Sequence, residues 1–249
     1  MRASVVWSTL ASLLALGGAG PRPAQRLGPG TNAGEPRFMG GVAFAVAQPV
    51  HDFHDAIPTR GLGGAGHVLY RLGGSGALAL RADAGLWQYG RERRRVPFLP
   101  GVSRVSLDLV TTNTVITGGV GPQLMLPVGP VRPYANAQVG FVAFTTQSQL
   151  RNRDGTGGAD DTGVLASDQN FASTHLATAG GGGLLVRLGG GGRSLAFLDL
   201  GARFQHAPGA RYLTRGGVRD NADGSVSLDV RRGPATFWTY QVGLSFGAR

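Results

Sequence analysis

The last stretch of the chain, Thr236 to Phe246, restricts the fold more than any other. Its residues Trp238, Tyr240, Val242, Leu244 and Phe246 alternate with Thr239, Gln241, Gly243 and Ser245. Strict period-2 alternation is the mark of a strand with two different faces. The apolar face carries two aromatics near one end, a third at the other, and aliphatics between. In water such a face packs on a core. In a barrel that spans a membrane it meets lipid, with aromatics at the two interfaces. The remainder of the chain favours the second setting.

The N-terminus reads as a secretory signal over residues 1–20. Arg2 is the positive region, Val5 to Leu16 the apolar run, and Gly17-Gly18-Ala19-Gly20 the small residues for cleavage. The apolar run is short of the roughly 20 residues a spanning helix needs. Residues 21–36 follow as a Pro- and Gly-rich flexible leader with no packable pattern, and residues 37–249 form one strand-built domain. No later run has the length of a membrane helix, so any membrane crossing has to be made by strands. The absence of Cys excludes a disulfide framework and Cys-ligated metal. All 24 basic residues are Arg and the net charge is +10, which points to anionic partners. No helical or aromatic-lined basic face accompanies that charge, so nucleic acid is not expected.

From Arg37 on, eight alternating runs are legible: Phe38–Gln48, Gly64–Leu72, Ala77–Tyr89, Leu109–Leu126, Val131–Gln147, Phe171–Leu188, Ser194–Gln205 and the terminal one. One face of each is small and aliphatic; the other carries Arg, Asp, Asn, Gln, His and Gly. The connections alternate long and short. Tight turns are expected at Gly73-Gly74-Ser75-Gly76, Pro127-Val128-Gly129-Pro130 and Gly189 to Gly192. Long connections are expected at Arg91–Asp108, Arg151–Asn170 and His206–Ala235. Within the last, Val218–Asp220 and Ser225–Val230 flank Asn221-Ala222-Asp223-Gly224 as a hairpin beyond the membrane. An even strand number, short turns at one end and long loops at the other, with apolar outside and polar inside, predict an all-β fold: an eight-stranded antiparallel up-and-down transmembrane β-barrel. Closure is required, because an open edge in lipid leaves backbone groups unpaired.

Over residues 37–249 this pattern resembles the OmpA/OmpX-type outer-membrane β-barrel family. Gln241-Val242-Gly243-Leu244-Ser245-Phe246 is similar to that family's C-terminal insertion signal: a polar residue, any, Gly, two of any, then an apolar residue. The chain departs from it by continuing to Gly247-Ala248-Arg249. The resemblance implies a cell outer-membrane location in a Gram-negative-type envelope, lipopolysaccharide as lipid partner, and insertion by the barrel-assembly machinery through the last strand. A monomer is expected, and because the sequence stops after strand eight the peptidoglycan-binding domain that some relatives carry is not expected. Barrel enzymes acting on lipid A are expected to use an outward His-x-Ser pair. Here Ser173-Thr174-His175 has the reverse order and Leu176-Ala177 follows. His175 is read as an interior, hydrogen-bonded histidine, and no catalytic residue is assigned.

Other motifs dissolve on inspection. Gly61-Leu62-Gly63-Gly64-Ala65-Gly66 spells a dinucleotide-type pattern, but a strand follows it where a helix is needed. His51, Asp52, His54 and Asp55 are read as a polar loop, and Asp220 to Asp229 lacks calcium-loop spacing. No metal or cofactor is expected. Two sets of charges carry more weight. Arg71, Arg81, Asp83, Arg132, Arg187, Asp199 and Arg203 fall on inward faces, where buried charges have to be paired; they predict lumen ion pairs that plug the barrel. Arg91, Arg93, Arg94, Arg95, Arg151, Arg153, Arg231 and Arg232 fall on the long-loop side and predict a rim for lipid phosphates. Trp87 and Tyr89 are expected to mark the aromatic girdle beneath it. The function read from the sequence is therefore a structural or surface-interaction role in the outer membrane. The alternatives are a narrow, porin-like, anion-preferring channel and, behind it, a lipid-A-acting enzyme.

Overall fold

Eight antiparallel strands close into a ring in chain order, with the last pairing back onto the first. They are β1 Phe38–Pro49, β2 Gly61–Leu72, β3 Leu78–Leu99, β4 Val102–Met125, β5 Val131–Asn152, β6 Val164–Gly189, β7 Ser194–Asp220 and β8 Val226–Ala248; a short helix, α1 Asp52–Ala56, lies between β1 and β2. The computed structural model describes residues 36–73, 76–99, 102–126, 129–152, 164–189, 194–220 and 226–248. The expected signal peptide, the leader as far as residue 35 and Arg153 lie outside the described residues. Arg95 and Arg151 are described by their backbone only.

The two faces of the ring follow from the alternation. Outward side chains are apolar and bare, with 64% of Val42, 61% of Leu124 and 71% of Leu176 exposed. Their neighbours one residue away, among them Ala45, Arg81, Gln123, Gln138 and Asp199, are buried inside. A barrel dissolved in water would show the reverse. The apolar belt runs from Val131 to Phe141 on β5 and from Phe246 to Trp238 on β8. Both stretches match the roughly 9–11 residues with which a tilted strand crosses a bilayer. Lipid is the solvent that suits such a belt, and the ring leaves no edge unpaired within it. This is the architecture of an eight-stranded, antiparallel, up-and-down transmembrane β-barrel.

Three sequence expectations are corrected here. First, the long connections are mostly strand. β3 and β4 stay paired up to Leu99↔Val102, β5 and β6 up to Arg151↔Val164, and β7 and β8 up to Asp220↔Val226. Arg91 to Arg95 thus belong to β3 rather than to a loop. Clear of lipid, both faces of a strand meet water and apolar alternation is no longer required. The backbone ladder continues regardless, because its hydrogen bonds do not depend on side-chain type. Second, the segment expected as a polar loop at His51–Asp55 holds α1, which places Phe53 inside with 3% of its surface exposed. Third, Trp87 and Tyr89 point inward and are buried, so they are no girdle. They stand two residues apart on one strand, so the alternation that turns Arg81 and Asp83 inward turns both of them inward as well. The outward aromatics at that level are Phe204, Trp238 and Tyr240, with ring centroids 5.3 Å apart for the first two and 6.3 Å for the last two.

Above the belt the ring opens. Pairing of β6 with β7 ends at Thr178↔His206, of β2 with β3 at Leu62↔Gln88, and of β1 with β8 at Pro49↔Phe237. Beyond those points β3 to β6 continue as one sheet, and β7 with β8 as a separate hairpin. The β6–β7 gap is bridged by side chains. The Nε2 of His175 accepts the backbone N–H of Arg211 at 2.9 Å, and the Ser173 hydroxyl donates to the Arg211 carbonyl. His175 is thus engaged as the sequence reading had it, with the backbone of a neighbouring strand as its partner.

Candidate functional site

The lumen is filled in three layers. The middle one is ionic. Arg81, 1% exposed, lays its guanidinium on Asp83, with Nε 2.9 Å from Oδ2 and Nη2 2.9 Å from Oδ1. Arg203 reaches the same carboxylate from β7 at 2.6 Å, and the Gln138 amide donates to it from β5. The remaining Nη1 of Arg81 donates to Gln123 Oε1 at 3.0 Å. One carboxylate thus joins β3, β5 and β7 across the barrel. Asp199 behaves differently from the arginine-paired carboxylate the sequence predicts. Its oxygens accept the Tyr134 hydroxyl at 2.7 Å and the Gln241 amide at 3.4 Å, and His67 Nδ1 stands 3.8 Å away. Among the described residues no arginine lies within salt-bridge distance of it.

Tyr134 reaches Asp199 because glycines make room. Gly183 and Gly201 face each other across β6 and β7. A Cβ on Gly183 would stand 2.6 Å, and one on Gly201 2.7 Å, from the Tyr134 hydroxyl oxygen. The Gly-rich middle of β6 is therefore a slot for a large side chain from β5, and sequence alternation alone does not reveal which side chain fills it.

Apolar layers lie on both sides of the ionic one, which departs from the polar interior expected throughout. At the short-turn end Met39, Leu69, Met125, Leu185, Leu195 and Phe197 form a buried cluster. Arg71 and Arg132 are placed there: Arg71 Nη2 lies 3.6 Å from Met39 Sδ, and the Arg132 guanidinium sits 4.9 Å over the Phe197 ring. Arg187 stands at the same end, half-buried, with no side-chain partner among the described residues. At the other end Phe53 of α1 packs against Tyr212, Phe144 and Phe237, with ring centroids 5.0, 5.9 and 6.1 Å away, over Trp87 and Val115. The Tyr89 hydroxyl donates to the Leu213 carbonyl at 3.1 Å, tying β3 to β7 over the mouth. Small cavities interrupt this filling: one of about 10 Å³ lies beside Asp83, Gln138 and Arg203, and another of about 10 Å³ beneath Phe53 and Ile57. A single water needs about that much space.

Of the rim residues, Arg91, Arg94, Arg231 and Arg232 are exposed, and none has an ion-pair partner among the described residues. Arg93 is 68% exposed and pairs with Asp108 on β4. That pairing was not legible beforehand, since Asp108 fell in an expected loop. What reasoning from the sequence missed altogether is the pair of stoppers. Phe53 sat in a charged pentapeptide, and Trp87, Tyr212 and Phe237 sat near strand ends where aromatics are ordinarily interfacial.

No protein-family model matches the chain, and no curated protein matches it either. Among solved structures it is similar to Neisserial surface protein A, with 12% identity, 85% of this chain and 96% of that one covered, and a TM-score of 0.39. It is similar to Ail, the attachment invasion locus protein of Yersinia pestis, with 12% identity, coverage of 85% and 98%, and a TM-score of 0.37. It is also similar to a major outer membrane protein from Thermus thermophilus, with 12% identity, coverage of 84% and 98%, and a TM-score of 0.41.

Proposed function

We propose that this barrel is a non-conducting integral protein of the outer membrane with a structural or surface-interaction role. The observation that carries the reading is the stacked filling of the lumen: an ionic layer centred on Asp83 between two apolar stoppers. An ion on that path would leave water for the apolar layer at the α1 end, and burying an unpaired charge there is strongly unfavourable. Eight strands leave an interior that side chains just fill. With the lumen closed, the parts open to other molecules are the outer belt and the hairpins that project beyond it.

The narrow anion channel is the second reading, supported by the inward arginines. It is disfavoured because Arg81 and Arg203 are spent on Asp83. Against an enzyme acting on lipid A, His175 and Ser173 are spent on the backbone of Arg211. Among the exposed rim arginines, those of β8 that stand above the aromatic rungs serve outer-leaflet phosphates in this proposal, and the Gln241–Phe246 segment serves recognition by the assembly machinery. Purified protein in planar bilayers tests it: brief, rare events at most are expected from the wild type, and from Phe53→Ala as well, because the ionic layer stays in place. Stable, anion-selective single-channel steps from the wild type would reverse the order of the two readings.

A further inference from the structure

The outward face of the β7–β8 hairpin presents a graded column. Rung by rung toward the outside, the register pairs Leu198 with Leu244, Leu200 with Val242, Ala202 with Tyr240, Phe204 with Trp238 and His206 with Thr236. Beyond a bulge it pairs Arg211 with Arg232. The column thus passes from aliphatic to aromatic to a polar rung, in which His206 is half-buried and Thr236 buried, and ends in two exposed guanidinium groups. His206 Nδ1 and Thr236 Oγ1 are 3.0 Å apart, so the polar rung is itself knitted together.

The last rung is unusual. Like charges directly opposite across antiparallel strands destabilise a sheet. Arg211 and Arg232 are both exposed and neither has an acidic partner among the described residues. The bulge is what puts them on one rung. β7 holds one more residue than β8 between Ala207↔Ala235 and Ala210↔Gly233, and Gly209 takes the left-handed conformation there with φ 64. Were the same residues paired in a regular ladder with no bulge, Ala210 would share the outward face with Arg232, and Arg211 would turn inward.

We infer that Arg211 and Arg232 form a clamp for the headgroup phosphate of a lipid whose acyl chains lie along the aliphatic and aromatic rungs below. An anion between the two guanidinium groups converts the repulsion into two charge-assisted, bidentate contacts. The height fits. Four residues of β8 separate Arg232 from Thr236, which is about 13 Å along a strand and about 10 Å along the membrane normal at the usual tilt. An arginine side chain reaches back over most of that distance, which brings the guanidinium groups just above the polar rung. Arg91 and Arg94 lack such a column. They lie on a projecting sheet with no aromatic rung described beneath them.

The inference rests on the membrane-barrel reading, and one experiment separates the two. Full-length barrel in phosphate-free maltoside micelles is titrated with diphosphoryl lipid A, with its dephosphorylated form and with inorganic phosphate, and bound lipid is counted by native mass spectrometry. Arg211→Gln/Arg232→Gln is expected to weaken diphosphoryl lipid A binding about tenfold or more, and Arg91→Gln/Arg94→Gln to change it by no more than about twofold. In lipid-free micelles Arg211→Gln/Arg232→Gln should melt no lower than the wild type, since a repulsion is removed; this guards against a misfolded variant. Equal losses in both double variants, or none in Arg211→Gln/Arg232→Gln, would overturn the clamp. So would dephosphorylated lipid A or inorganic phosphate binding as tightly as the full lipid. A wild-type chain that stays in the aqueous phase beside liposomes would overturn the membrane reading itself.

Discussion

The belt and the projecting hairpins are made from the same strands, yet they obey different rules. Inside the belt a residue has two choices, lipid or lumen, and each choice selects a chemistry. Leu80 and Ala82 go out while Arg81 and Asp83 go in. A few residues farther along β3 the chain leaves lipid, and Arg91, Glu92, Arg93 and Arg94 follow one another with no alternation of type. The ladder beneath them is unbroken from Arg91↔Thr112 to Pro97↔Ser106. The strand is thus a backbone property. The apolar pattern is a solvent property, and it stops where the solvent changes.

Substitutions that sharpen the contrast should rank by how completely their site is removed from water. Asp83→Ala is expected to have the largest effect. It leaves Arg81 and Arg203 buried beside no carboxylate, and breaking such a pair costs about 3–5 kcal/mol. Urea titration of the barrel in lipid vesicles measures it, and a loss below about 1 kcal/mol, the size of an exposed pair, would mean that water enters the ionic layer. Leu200→Arg comes next, at about 2–4 kcal/mol for a charge near mid-belt. Leu228→Arg, on the projecting β8 segment, should change stability by no more than about 0.5 kcal/mol. Equal costs at the two sites, read by the same titration, would show that the projecting hairpin also contacts lipid. Arg93→Gln should likewise cost little, at most about 0.5 kcal/mol, because its pair with Asp108 is mostly open to solvent and salt screens it. A loss that persists in molar salt would place Arg93 in a buried network.

The same contrast explains what could be read from the sequence. Eight strands, their faces and the ring were legible because closure and lipid force a period-2 signal over each crossing. The direction of Arg81, Asp83 and Arg203 was legible for the same reason, each lying one residue from an outward apolar neighbour. Their partners were not. Alternation says that Asp199 points inward. It says nothing of Tyr134 passing over Gly183 and Gly201 to reach it. Phe53 was lost because a five-residue helix gives too short a stretch for a 3.6-residue period to register. Trp87 and Tyr89 were misread because an inward aromatic near the end of the belt looks, in one dimension, like an interfacial one. The β3–β4 and β5–β6 extensions were lost where no apolar alternation marked them.

The seam between β1 and β8 has a consequence for how the molecule comes to exist. It joins the two ends of the barrel sequence, from Phe38↔Ala248 to Pro49↔Phe237, whereas every other seam joins consecutive strands. Neighbouring hairpins form from nearby chain, but this last ladder waits for all the others, and non-local pairing of that kind is slow. Until it forms, β1 and β8 each expose a row of backbone donors and acceptors that hydrocarbon cannot satisfy. Closing the ring and entering the bilayer therefore have to proceed together. The side chains brought to the seam ease that step: Gly41, Ala43 and Ala45 meet Ser245, Gly243 and Gln241 inside, so the strands zip with little bulk to clear from the lumen.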